Sequence, residues 1–148
     1  MDDELVGRLR GAIGRLARQL NETSTGEGLT PTQYSVLGLV SGRGSVGLTE
    51  LTGLEGLNPT MLSRIVKVLD EKGLIRRQQD PDDLRAARAE ITPAGRQVHE
   101  RVRDQRARVL SQTLSSLPPE TATTLLAAIP AMEDLAEALR KPAAPAQG

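Results

Sequence analysis

The sequence predicts a mainly α protein with a small β-ribbon, arranged as a winged helix-turn-helix with additional helices at both ends. Three observations point there. Apolar residues recur at helical spacing over most of the 148 residues. Between residues 74 and 91 that spacing gives way to two short strand-like runs around Asp80-Pro81-Asp82-Asp83, which is strong turn chemistry. Residues 58–72 then carry the boundary signals of one short helix: Asn58 as N-cap, Pro59 in the first turn, and Gly73 as the stop after Lys72.

The elements follow in order. Over residues 4–21, Leu5, Leu9, Ile13, Leu16 and Leu20 form one stripe with arginines around it, an amphipathic helix weakened by Gly7, Gly11 and Gly14. Residues 23–28 read as a polar loop. Thr30 as N-cap, Pro31 at N1 and Gln33 completing a capping box start a second helix, with Leu29 placed to staple onto Tyr34. Val36, Leu37 and Val40 form its buried side, and residues 41–44 end it. Residues 48–54 are the first helix of the helix-turn-helix, and Glu55-Gly56-Leu57 is the turn. After the capped helix, residues 74–79 and 88–91 are the two strands. Thr92 and Pro93 launch a long polar helix that breaks at Pro118-Pro119. In the last helix Leu125, Ile129, Met132, Ala136 and Leu139 form a seam that needs a partner, and Pro130 should kink or split it. Residues 142–148, rich in proline and alanine, read as a disordered tail.

The helix at residues 58–72 carries the chemistry. Leu62, Ile65, Val66 and Leu69 form its apolar stripe. At about 100° per residue, Thr60, Arg64, Lys67 and Glu71 lie opposite, with Ser63 on the shoulder. Hydroxyls and cations facing outward from a docked helix suit phosphates and base edges in the major groove of double-stranded DNA. Taken alone, the same pattern is also that of an ordinary solvated face. Arg76, Arg77 and Arg88 in the strands are open between phosphate contact and solvation. The run Arg96, Arg101, Arg103, Arg106 and Arg108 reads as a solvated helix face.

Composition narrows the classes. Tyr34 is the one aromatic residue, so the core is aliphatic and stacking of single-stranded bases is excluded. Net charge is zero and the pI is near 6.6, unlike many DNA binders, but acidic residues concentrated near both ends leave room for a basic face between them. There is no cysteine, and His99 is the single histidine, so thiol sensing and His/Cys metal clusters are excluded. A surface role on its helix is the expectation for His99. No catalytic constellation is present and no cofactor is expected. No run is long and apolar enough to span a membrane, and Asp2, Asp3 and Glu4 do not suit a signal peptide, so a cytoplasmic protein is expected.

The wing-to-helix run Asp83-Leu84-Arg85-Ala86-Ala87-Arg88-Ala89-Glu90-Ile91-Thr92-Pro93-Ala94-Gly95 resembles the D-x-R, five residues, L/I-T, two residues, G pattern of the MarR (multiple antibiotic resistance regulator) family. Asn58-Pro59-Thr60-Met61-Leu62-Ser63-Arg64 and Leu69-Asp70-Glu71-Lys72-Gly73-Leu74-Ile75 are similar to that family's recognition helix and its exit. The resemblance implies a transcription regulator, expected to be a repressor. It implies one module over residues 1–141, with a DNA-binding lobe at 29–95 and dimerisation helices at 1–22 and 96–140. It further implies a homodimer on a pseudo-palindromic site, and in many members a small aromatic or lipophilic anion that releases the DNA. By motif position Arg85 would be the wing arginine, with Asp83 helping to hold the tip, and Thr60, Ser63 and Arg64 would face the groove. Many relatives carry an acidic residue, available to pair with the wing arginine, where Asn58 stands here. The effector pocket would involve Tyr34 and be rimmed by Arg15 or Arg18. The competing class is a winged-helix protein-interaction module without specific DNA binding.

Overall fold

A computed structural model describes residues 1–22, 26–83 and 86–140. Along them run α1 (Asp3–Glu22), a 3-10 turn (Gly26–Gly28), α2 (Pro31–Arg43), β1 (Ser45–Gly47), α3 (Leu48–Glu55), α4 (Pro59–Glu71), β2 (Ile75–Gln79), β3 (Ala87–Ile91), α5 (Pro93–Ser116), α6 (Pro119–Ala127) and α7 (Ile129–Arg140). This is the mainly α winged helix-turn-helix that the sequence predicts. The expected tail at 142–148 lies outside the described residues. Among the described residues, no helix is long and apolar enough to cross a membrane. The chain forms two compact units, Met1–Ala107 and a second that begins at Arg108.

In the first unit the core is aliphatic throughout. Val36, Leu37 and Val40 of α2, Leu51 of α3 and Leu62, Val66 and Leu69 of α4 meet Val46, Ile75 and Ala89 of the sheet and Val98 and Val102 of α5. Burying each large side chain stabilises by about 1.5–3 kcal/mol, so α3 and α4 are held as one body on this core. Ile65 packs against the cluster while only partly buried, at the edge of the stripe.

Local signals fix the helix ends. The Thr30 hydroxyl accepts from Gln33 N–H at 3.2 Å while the Gln33 side chain accepts from Thr30 N–H at 3.0 Å, the reciprocal cap that the sequence predicts. Asn58 Oδ1 accepts from Met61 N–H at 2.8 Å and starts α4. Gly73 turns the chain out of α4 at φ 72°, where side chains are disfavoured. The Thr92 hydroxyl then accepts from Gly95 N–H at 3.0 Å and donates to the Gly73 carbonyl at 2.6 Å, tying the start of α5 to the exit of α4. Gly95 is buried, and a Cβ there would overlap the Leu74 carbonyl oxygen.

The sheet has order β1-β3-β2, antiparallel at both seams. β1 is a strand the sequence reading missed. Three residues ending in glycine show no alternation that could announce it.

In the second unit Pro118 and Pro119 end α5, and α6 and α7 divide at Ala128. Pro130 therefore falls in the first turn of α7, where its missing N–H breaks no helical bond. The seam is split there, as expected from Pro130.

Candidate nucleic-acid interface

α4 lies on the core through Leu62, Val66 and Leu69, and this orients its other face. Thr60, Arg64, Lys67 and Glu71 are exposed and Ser63 is half-buried at the side. Thr60, Ser63, Arg64 and Lys67 make no hydrogen bond or ion pair among the described residues, so their donors are uncommitted. Together with Pro59 and Arg77 they line an open cleft of about 430 Å³.

The register of the ribbon separates three arginines that the sequence could not rank. Arg77 pairs with Ala89, and paired residues of antiparallel strands share a face. Ala89 is buried, so Arg77 is on the side of the sheet that meets α3 and α4, and its side chain reaches the cleft beside α4. Arg76 and Arg88 alternate to the opposite face. Arg76 stands across from Glu90. Arg88 is committed: its Nε donates to the Ser45 hydroxyl at 3.2 Å and its Nη1 lies 3.7 Å from the Asp80 carboxylate. Arg88 is thus a brace between β1, β3 and the wing turn.

The turn itself is organised by Asp80, whose carboxylate accepts from Asp82 N–H at 2.9 Å while its own N–H donates to the Ala86 carbonyl at 2.9 Å. Asp83 contributes its carbonyl oxygen, which accepts from Ala86 N–H at 3.0 Å. Leu84 and Arg85, including the wing arginine singled out in the sequence, lie outside the described residues.

A second cluster joins α2 to α5. The Tyr34 ring stacks on His99 with centroids 5.1 Å apart and planes 19° from parallel, and the Arg106 guanidinium lies 4.1 Å from the same ring. His99 and Arg106 are seven residues apart, two turns along one helix face, and about 10.5 Å of rise separates them, enough to take an aromatic ring between. His99 is therefore packed against α2, with Gly38 leaving room for it, and is not the free surface residue expected from the sequence. Burial, with the Arg103 and Arg106 charges opposed only by Glu100, lowers its pKa below 6.5. The cation on Tyr34 comes from Arg106, whereas Arg15 and Arg18 are exposed on α1. Arg106 Nε and Nη2 are buried with no acceptor. The i, i+7 pairing of a histidine and an arginine on α5 was the available signal, hidden within a run of arginines. From that run Arg101 is also committed, to Glu27 at 2.8 Å. That contact lowers the Glu27 pKa, chiefly through the hydrogen bond.

Comparison with known proteins places this geometry. The model of the MarR family matches residues 29–87, which hold α2, α3, α4, β2 and the wing turn. A solved structure of a probable transcriptional regulator from Pseudomonas aeruginosa is 34% identical, covers 86% of this chain and is itself covered over 98% of its length, with a TM-score of 0.62. The chain belongs to the MarR family. A MarR family protein from Bacillus stearothermophilus shares the fold with a TM-score of 0.78 at 22% identity, over 95% of this chain and 99% of that one. A transcriptional regulatory protein assigned to the hcr operon of Thauera aromatica is 29% identical over 93 residues, 63% of this chain. The match spans 56% of that relative's length. The winged helix-turn-helix of this MarR family chain is thus the architecture of a family of DNA-binding transcription regulators, and α4 is the second helix of its helix-turn-helix.

Proposed function

We propose that this chain is a sequence-specific, double-stranded DNA-binding regulator that acts as a homodimer in the cytoplasm, and that it represses transcription from a pseudo-palindromic operator. The observation that carries this reading is the uncommitted face of α4: two cations and two hydroxyls held outward by a rigid aliphatic core. Residues 29–95 are the DNA-binding lobe, and residues 1–22 and 96–140 dimerise. Thr60, Ser63, Arg64 and Lys67 enter the major groove, and Arg85 enters the adjacent minor groove, with Asp83 helping to hold the wing tip. Membership of the MarR family supports the reading, as does the regulatory role named for the relatives. Selection of bound duplexes from a random pool, followed by titration at several salt concentrations, tests it. A recovered inverted repeat bound at least a thousandfold more tightly than random duplex is the expected result. No preference for any duplex would leave a protein-interaction module as the better reading.

The regulatory signal in this proposal is a small aromatic anion. The pocket involves Tyr34 and is rimmed by Arg15 or Arg18, whose exposed guanidinium groups on α1 can pair with a carboxylate. A salicylate-type anion is expected to weaken operator binding and raise the melting temperature of the DNA-free protein, to the extent that it prefers the DNA-free conformation. A panel of such anions at millimolar concentration that changes neither quantity rejects this part.

A further inference from the structure

We propose that the cleft between α3, α4 and the base of the ribbon is a seat for one phosphodiester of the DNA backbone, with Arg77 as its cation and Thr49 and Ser63 as its hydroxyl donors. This inference rests on the DNA-binding reading above and assigns it a fixed point at the edge of the base-reading face, where Ser63 and Arg77 border both clefts.

The cleft has a volume of about 330 Å³, and Thr49, Thr52, Leu62, Ser63, Arg77 and Ala87 are among the residues lining it. That is room for a phosphate and its sugar, and the lower end of what small-ligand sites occupy. Its floor is apolar or already satisfied: Leu62 belongs to the core, and the Thr52 hydroxyl donates to the Leu48 carbonyl at 2.9 Å. Three groups at its rim have no partner among the described residues. They are the exposed Thr49 hydroxyl in the first turn of α3, the half-buried Ser63 hydroxyl on α4, and the Arg77 guanidinium on β2. Each comes from a different element, and all three are hydrogen-bond donors. A planar guanidinium beside two hydroxyls suits an oxyanion with two free oxygens.

The surrounding charges agree. Glu50, next to Thr49, is held by Arg43 at 3.1 Å, and Asp80, at the far end of β2, is held by Arg88. Neither carboxylate is left to repel a phosphate. Arg77 also lines the cleft along Thr60, Arg64 and Lys67, so it stands where the groove-reading face meets the ribbon. A backbone phosphate bound there would set the depth and angle of α4 in the major groove, which is how phosphate contacts orient a reading helix. Arg76 and Arg88, on the opposite face, cannot do this.

The test uses the full-length protein with the selected operator, an unrelated duplex, and operators carrying one uncharged methylphosphonate linkage at a time. Arg77→Gln is expected to weaken both natural duplexes by a similar factor, about tenfold or more. It should also lower the slope of log affinity against log salt by about 0.9 for each protomer bound. Arg77→Lys should keep the slope and recover only part of the affinity. Thr49→Val and Ser63→Ala should each lose affinity severalfold without changing the slope. Arg76→Gln should change the slope less than Arg77→Gln does. One linkage in each half-site should cost wild type as much when neutralised as Arg77→Gln costs, and should cost that variant nothing further. Wild-type binding combined with an unchanged slope for Arg77→Gln overturns this inference alone, as does a loss confined to the selected operator. Wild type that binds no duplex overturns the DNA-binding reading and this inference with it. Arg77 is exposed, so its variants are expected to melt with wild type.

Discussion

Arg64 and Lys67 share one exposed face of α4, yet their chemistry assigns them different work. A guanidinium can bind the O6 and N7 edge of guanine with two parallel bonds, whereas an ammonium is a hydrated point charge. Arg64→Ala is therefore expected to cost about 1–3 kcal/mol on the selected operator and to relax the preference at one base position. Lys67→Ala should weaken all duplexes about equally and lower the salt slope by about one. Equal losses on operator and random duplex for Arg64→Ala would make it another backbone contact. This face was legible in the sequence because helical periodicity alone separates Leu62, Val66 and Leu69 from Thr60, Arg64 and Lys67. The surroundings of His99 were not legible, since Tyr34 and Gly38 reach it from 61 to 65 positions away in the chain. That packing has a measurable consequence. The folded pKa of His99 lies below the unfolded value near 6.5, so the unfolded state binds the proton first. Stability is complete above about pH 6.5, falls as pH drops through that value, and levels off below the folded pKa. His99→Gln should flatten the change in melting temperature between about pH 7.5 and 5.5. Glu27 titrates below 4.5 and does not intrude on that window. An unaltered profile in His99→Gln would assign the dependence to other groups.

At the scale of elements, what could be read depended on how locally each is encoded. α2, α4 and α5 announce themselves because N-cap, proline and stop residues lie within a few positions of each boundary. β1 does not, because its pairing with β3 joins residues more than 40 positions apart through three residues of no particular pattern. The side of the ribbon that Arg77 occupies needed the register as well, since two consecutive arginines look alike until one strand is placed on another. The join between α4 and α5 was half legible. Thr92 and Pro93 signal a helix start, but only the fold puts Gly95 against the Leu74 carbonyl. Because the obstacle is backbone and not a flexible side chain, Gly95→Ala should destabilise by at least the about 3 kcal/mol that overpacking usually reaches. For a domain of this size that lowers the melting temperature by roughly 6–12 °C. Gly14→Ala on α1, where nothing beyond the helix's own backbone lies within 4 Å of the added carbon, serves as the contrast and should not destabilise. Equal melting of the two variants would mean that α5 shifts freely at its start.

For the whole molecule, the two units each leave apolar surface uncovered. On α1, Leu5, Leu9, Ile13, Leu16 and Leu20 are 38–57% exposed. On α6 and α7, Leu125, Leu126, Ile129, Met132 and Leu135 are 38–54% exposed and Leu139 more so. Stripes of this kind along helices are rarely left in water, and a second copy is the economical cover. Sedimentation is expected to give twice the chain's 15.9 kDa at micromolar concentration, with Leu9→Glu and Leu16→Glu together shifting it toward monomer. Symmetry then constrains the DNA. Two α4 helices related by a two-fold axis must meet major grooves about 34–36 Å apart, one turn of the duplex, on the same side. Inserting five base pairs between the half-sites rotates one of them to the far side and should reduce binding to that of a single half-site. Inserting about ten restores the facing but doubles the separation, so a rigid dimer recovers little. Recovery at ten to the original affinity would mean that the protomers are flexibly linked. A monomer that binds single half-sites, indifferent to spacing, would leave the exposed stripes of α1, α6 and α7 to some other partner.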